Sequence, residues 1–121
     1  MATKQPKSIN QGESRMYTLT VKDGNGVLVN LTPTSALEFQ VKANPGDTDP
    51  PLVAKAIGTG VTILTQSGAT LGQATIQLDP GDTSAIDPGL YAYDVVLVLS
   101  GKRYYVVPAS DFEIVAVVNP V

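Results

Sequence analysis

The segment Asp87-Pro88-Gly89-Leu90-Tyr91-Ala92-Tyr93-Asp94 opens directly into the apolar run Val95-Val96-Leu97-Val98-Leu99, and no other part of the chain narrows the fold as much. Its Asp-x-Gly-x-Tyr spacing is the local pattern of a tyrosine corner, in which a tyrosine at the start of a late strand folds over a sheet edge and its hydroxyl bonds to backbone a few residues upstream. Asp87, Gly89 and Tyr91 are the corner residues on that reading. The simpler reading keeps a turn before an amphipathic strand, with Tyr91 half buried. Both require antiparallel β structure. Tyr93 occupies the position that is a cysteine in disulfide-linked sandwiches, and the chain has no cysteine, so packing alone must join the layers.

The remaining segments fit that architecture. Residues 1–12 are polar and read as a flexible arm, with the folded domain spanning 13–121. Met16 to Lys22 alternates and places Tyr17, Leu19 and Val21 on one face, and Asp23-Gly24-Asn25-Gly26 then supplies a tight turn into Val27-Leu28-Val29. Ala36 to Lys42 alternates most clearly, sending Leu37, Phe39 and Val41 inward and Glu38, Gln40 and Lys42 outward. Asn44 to Pro51, with prolines at 45, 50 and 51, is an exposed loop. Strands follow at 52–57, 61–64 and 74–78. The stretch 79–86 has room for a single helical turn, with Asp82 as its cap. After the corner, strands are expected at 91–99, 103–107 and 112–118, the last two joined by a turn at Pro108-Ala109-Ser110-Asp111. About seven to nine short strands separated by turn signals define an all-β chain, an immunoglobulin-like antiparallel β-sandwich by default and a barrel second. The expected core is Leu19, Val21, Leu37, Phe39, Val41, Ile63, Ile76, Leu78, Tyr93, Val95, Leu97, Phe112 and Ile114.

Composition removes most chemistry. Without histidine or cysteine there is no imidazole base, no thiolate nucleophile, and no nitrogen or sulfur ligand set for zinc or copper. The eight basic residues are scattered and the net charge is −3, so no basic stripe for nucleic acid is present. The amino terminus has no apolar signal region and no apolar run is long enough for a membrane span, which leads to the expectation of a soluble chain synthesised in the cytoplasm. Most of the eleven acidic residues sit in turns, where a short carboxylate bonds its own backbone. Asp23-x-Asn25-Gly26 and Asp47-x-Asp49 are fragments of a cation loop that lack the further oxygen ligands, and Gly58-Thr59-Gly60 reads as a turn. No catalytic, metal-binding or cofactor residue is assigned. Asp94 stands apart because it lies inside a strand, either on the surface or accepting a hydrogen bond from Tyr91, Lys102 or Arg103.

Two runs, 95–99 and 114–118, are apolar on both faces. A sandwich buries one face of each sheet, so the outward set Val96, Val98, Val115 and Val117 needs cover from a loop or from another subunit, and the second is the expectation. Tyr104 and Tyr105 are adjacent and face opposite sides; Tyr104 joins the candidate interface, and an exposed tyrosine of this pair is also a candidate sugar contact.

The order of these elements from Gln11 to Val118 resembles a family of small immunoglobulin-like domains in tailed bacteriophages, best known as the amino-terminal domain of the baseplate upper protein. The landmarks are Gly12 with Tyr17-Thr18-Leu19, Asp23-Gly24-Asn25-Gly26, Leu31-Thr32, Leu37 to Lys42, Leu52-Val53-Ala54-Lys55, Gly60 to Ile63, Gly72 to Leu78, Asp82-Thr83 and Pro88 to Val95. The resemblance implies a non-enzymatic virion component, in a baseplate, tail, neck or capsid appendage, working as a homo-oligomer or in a symmetric assembly with other virion proteins, with no nucleic-acid or membrane partner. It transfers no catalytic or ligand residue. The alternative function is a carbohydrate-binding or host-surface adhesion domain.

Overall fold

The computed structural model of the chain describes residues 4–118. Eight strands form: β1 (Lys7–Asn10), β2 (Arg15–Thr20), β3 (Thr34–Lys42), β4 (Val53–Ile57), β5 (Gly60–Ile63), β6 (Gln73–Leu78), β7 (Gly89–Leu99) and β8 (Lys102–Val115), with a 3-10 turn (Gly68–Thr70) before β6 and an α-helical turn, α1 (Pro80–Thr83), before β7. They hydrogen-bond in the order β1-β8-β7-β3-β4-β5-β6-β2, so a single sheet curls into two layers until its ends approach each other. The chain is all-β, a sandwich nearly closed into a barrel. No helix among the described residues is long and apolar enough to cross a membrane.

The alternation in β3 and β6 builds the interior. Leu37, Phe39 and Val41 from β3 and Ala74, Ile76 and Leu78 from β6 are all buried, while their neighbours in sequence are more exposed. Phe39, Tyr93 and Phe112 pack at the centre with ring centroids 5.4, 5.7 and 6.0 Å apart, and each such pair adds roughly 0.5–1.5 kcal/mol beyond its buried area. Every expected core residue is buried except Ile63, which packs half-buried against the cluster.

Four features differ from the sequence reading. First, the arm is structural from Lys7: β1 pairs with β8 through Lys7↔Phe112 to Asn10↔Val115, and its one aliphatic side chain, Ile9, is buried in the core. A single apolar residue in a polar stretch carries no periodicity, so only tertiary packing reveals the strand. Residues 1–3 of the expected arm lie outside the described residues. Second, two pairings are parallel: β1 with β8, and a two-rung contact of β4 with β5. The latter forms because Gly58 and Gly60, at φ +88° and +112°, let the chain loop back and resume its direction.

Third, residues 103–107 and 112–115 belong to one strand. Pro108 and Ala109 together oppose Asp94 where the β7–β8 ladder steps from Val95↔Val107 to Tyr93↔Ser110. At such a bulge a proline owes no ladder bond, so it bends β8 without ending it. Strand order ends at Val115, short of the expected 118, and residues 119–121 of the expected domain lie outside the described residues. Fourth, the cap of α1 is Asp79; Asp82 sits three residues on, and its carboxylate accepts the Asp79 N–H at 2.7 Å. Asp82 also pairs with Lys55 Nζ at 2.8 Å, fastening α1 to β4. The Thr83 side chain is fully buried, and its hydroxyl oxygen accepts the Gly12 N–H at 2.8 Å, which anchors the turn between β1 and β2.

Candidate functional site

The corner and the turn acids are structural. The Tyr91 hydroxyl donates to the Asp87 carbonyl at 2.5 Å, the hydrogen bond that the corner spacing calls for. Gly89 is not at positive φ, and a Cβ there would meet only the Tyr91 ring at 3.8 Å, so its glycine is not a conformational requirement. Asp23 Oδ1 accepts the Asn25 and Val27 N–H groups at 2.8 and 3.0 Å, and Asp47 Oδ1 accepts the Asp49 N–H at 3.0 Å. Among the described residues no three potential ligands gather as a metal site.

The β7–β8 hairpin carries two hollows. One is a groove of about 300 Å³ on its outer face. β3 contributes Glu38, Gln40 and Lys42, β7 contributes Asp94 and Val96, and β8 contributes Arg103 and Tyr105. The register explains the grouping: Gln40 pairs with Asp94, while Val96 lies between Glu38 and Tyr105. The loop 44–47 forms a wall, held by Lys42 Nζ donating to the Asp47 carbonyl at 2.8 Å. Arg103 lies over the Tyr105 ring, 5.4 Å from its centroid. Burial raises the Asp94 carboxyl above its ordinary value, an effect that the nearby Arg103 and Lys42 charges oppose. Among the described residues Asp94 forms neither an ion pair nor a side-chain hydrogen bond, including with Tyr91, Lys102 or Arg103.

The other hollow lies at the seam where the sheet fails to close. β7 pairs with β8 along its length, but on the opposite edge β1 covers only Phe112–Val115. The segment 102–109 thus has no strand on that edge among the described residues. Facing it is β2, which pairs only with β6. At one end the seam is shut: Lys7 Nζ sits 4.4 Å from the Tyr17 ring centroid, and the Tyr93 hydroxyl donates to the Gln5 carbonyl. Desolvation lowers the Lys7 ammonium and raises the Tyr93 hydroxyl, as expected for groups between two layers. At the other end the seam opens as a cleft of about 680 Å³, with Val21 and Val29 on one side and Leu97, Leu99, Tyr104 and Val106 on the other.

These positions revise the candidate interface. Val96 is buried by its own chain on the outer face, between Glu38 and Tyr105, its cross-strand neighbours. Val98, Val115 and Val117 are half buried, and Val117 lies past the end of β8. Tyr104 remains exposed at 46% and lines the cleft. The cleft escapes the sequence because it depends on which edges stay unpaired, and Leu99 and Val106 read simply as core-facing residues.

No protein-family profile matches the chain, and no curated protein matches it.

Proposed function

We propose that this protein is a non-enzymatic structural subunit of a bacteriophage particle, which joins its neighbours through the open seam. The observation that carries the reading is the uncovered edge of β8 beside an apolar cleft. Unpaired strand edges recruit other chains through backbone hydrogen bonds, and an adjoining apolar cleft adds burial to that pairing. The absence of histidine and cysteine and the resemblance of the element order to that of phage immunoglobulin-like domains support the same reading. The partners are other virion proteins or further copies of this chain.

Phage particles purified from the lysate of a host that expresses this chain, analysed by mass spectrometry, test the setting. The chain should co-purify with them; its presence only in the soluble fraction would refute the virion role. Lysine cross-linking within the particles tests the seam. Links to a second polypeptide should start from Lys22, which lines the cleft, and from Lys102 at the hairpin tip. Links confined to Lys42 and Lys55, away from the seam, would move the interface elsewhere.

A further inference from the structure

We infer that the outer groove of the β3–β7–β8 surface is a binding site for a neutral carbohydrate. The inference is independent of the seam and of the virion setting. It starts from what the groove leaves unused. Among the described residues the side chains of Glu38, Gln40 and Asp94 make no hydrogen bond to the protein, although all three lie in one hollow and Gln40 stands directly opposite Asp94. A partly desolvated carboxylate without a partner is unfavourable, and a ligand that brings hydroxyl donors removes the penalty. The raised Asp94 carboxyl is consistent with that state.

The charges select the ligand class. Glu38 and Asp94 disfavour an anion, and Arg103 beside them disfavours a simple cation. A polyhydroxylated neutral molecule suits both, because each hydroxyl donates to a carboxylate or amide oxygen and accepts from a guanidinium or amide nitrogen. Carbohydrates also present apolar C–H faces, and the groove offers matching surface. Tyr105 supplies it, 51% exposed with Arg103 over its ring, while the nearly buried Val96 closes the floor. The wall fixed by the Lys42–Asp47 bond makes the surface concave before any ligand arrives. At about 300 Å³ the hollow lies at the lower limit of small-molecule sites, which run from roughly 300 to 1,000 Å³.

The test applies the full chain to an array of neutral hexose and N-acetylhexosamine oligosaccharides with acidic glycans alongside, then measures the positive glycans by calorimetry and by amide chemical shifts. Expected are millimolar or tighter binding to neutral glycans and shifts centred on residues 38–42, 94–96 and 103–105. Asp94→Asn should weaken binding by about fivefold or more, roughly 1 kcal/mol, with Gln40→Ala acting in the same direction. Tyr105 borders the cleft as well as the groove, so Asp94 and Gln40 decide the location and Tyr105→Ala supplements them. Tyr104→Ala, which lines only the cleft, should leave glycan affinity unchanged while weakening seam contacts, so the two proposals fail separately. Far-UV circular dichroism confirms that each variant is folded. Absence of neutral-glycan binding, binding of acidic glycans alone, or a folded Asp94→Asn variant with unchanged affinity would overturn the assignment.

Discussion

Replacing Ile9 with alanine tests whether the amino-terminal strand is part of the fold. Ile9 is 1% exposed and lies opposite Ile114, itself in the core. The substitution removes three carbon groups from that environment, at about 0.8 kcal/mol each, so transfer alone gives about 2.4 kcal/mol. A cavity contribution raises this, and large-to-alanine changes in cores cost about 2–5 kcal/mol. β1 is an edge strand that can settle partly into the space, so about 2–3 kcal/mol is the working value. For a domain of this size a loss of 1 kcal/mol lowers Tm by roughly 3–6 °C, which makes the expected drop about 6–18 °C. The chain has no tryptophan, so urea and thermal melts are followed by far-UV circular dichroism and tyrosine fluorescence. Ser8→Ala, on the exposed face of the same strand, is the control and should stay within about 0.5 kcal/mol. If Ile9→Ala matches Ser8→Ala, β1 does not contribute to the native core and the closing of the sheet at that end is wrong.

Two tyrosine-to-phenylalanine changes should have opposite outcomes. Tyr91→Phe removes the bond to the Asp87 carbonyl and should lower stability by about 0.5–1.5 kcal/mol, whereas the Tyr17 hydroxyl is buried without a partner among the described residues, so Tyr17→Phe should be neutral or stabilising in urea melts. Thr83→Val keeps the shape but strands the Gly12 N–H, and should cost about 1–3 kcal/mol, read as a shifted urea midpoint. For Asp94 the sign follows from burial. Its folded-state value lies above the ordinary 3.8, so the folded state binds the proton more tightly and this group's contribution to stability falls as pH rises through that window. Relative to wild type, Asp94→Asn should therefore gain stability at neutral pH and lose the advantage in acid; equal urea midpoints differences at both pH values would reject the raised value.

The parts of the fold that were legible in the sequence are those where burial has a period. Leu37-Glu38-Phe39-Gln40-Val41 and Ala74-Thr75-Ile76-Gln77-Leu78 alternate because one face meets the core and the other meets water, and the structure follows the pattern residue by residue. Tyr91 was legible because its hydrogen bond closes over a fixed, short separation. Long-range choices leave no such mark. Nothing local in Lys7-Ser8-Ile9-Asn10 indicates that the segment docks parallel to β8, whose paired residues lie about a hundred positions away. Pro108 reads as a turn because proline usually interrupts a ladder, and only the register shown by Asp94 makes it a bulge. Asp94 stands out in the sequence because it sits inside a strand. The alternation of β3 sends Gln40 and Glu38 outward, but their meeting with Asp94 in one groove depends on β3 pairing with β7.

The bulges in the β7–β8 hairpin link these observations. By displacing Pro108 and Ala109 against one residue of β7, they redirect β8, and its second half takes β1 while its first half keeps an open edge. Val96 is covered by Glu38 and Tyr105 of its own chain and so needs no outside partner, whereas Val98, Val115 and Val117 are half buried. What remains exposed is divided by strand geometry, since adjacent residues of a strand point to opposite faces. Tyr104 lies beside Leu97 at the seam, and Tyr105 lies beside Val96 at the groove. A neighbour that added to the free edge would extend the sheet beside Tyr104, whereas the Gln40–Asp94 pair lies across β3 and β7, away from that edge. The proposed seam and the proposed groove share Tyr105 but differ at Tyr104 and Asp94, so particle incorporation and glycan affinity should respond independently to substitutions at those two positions.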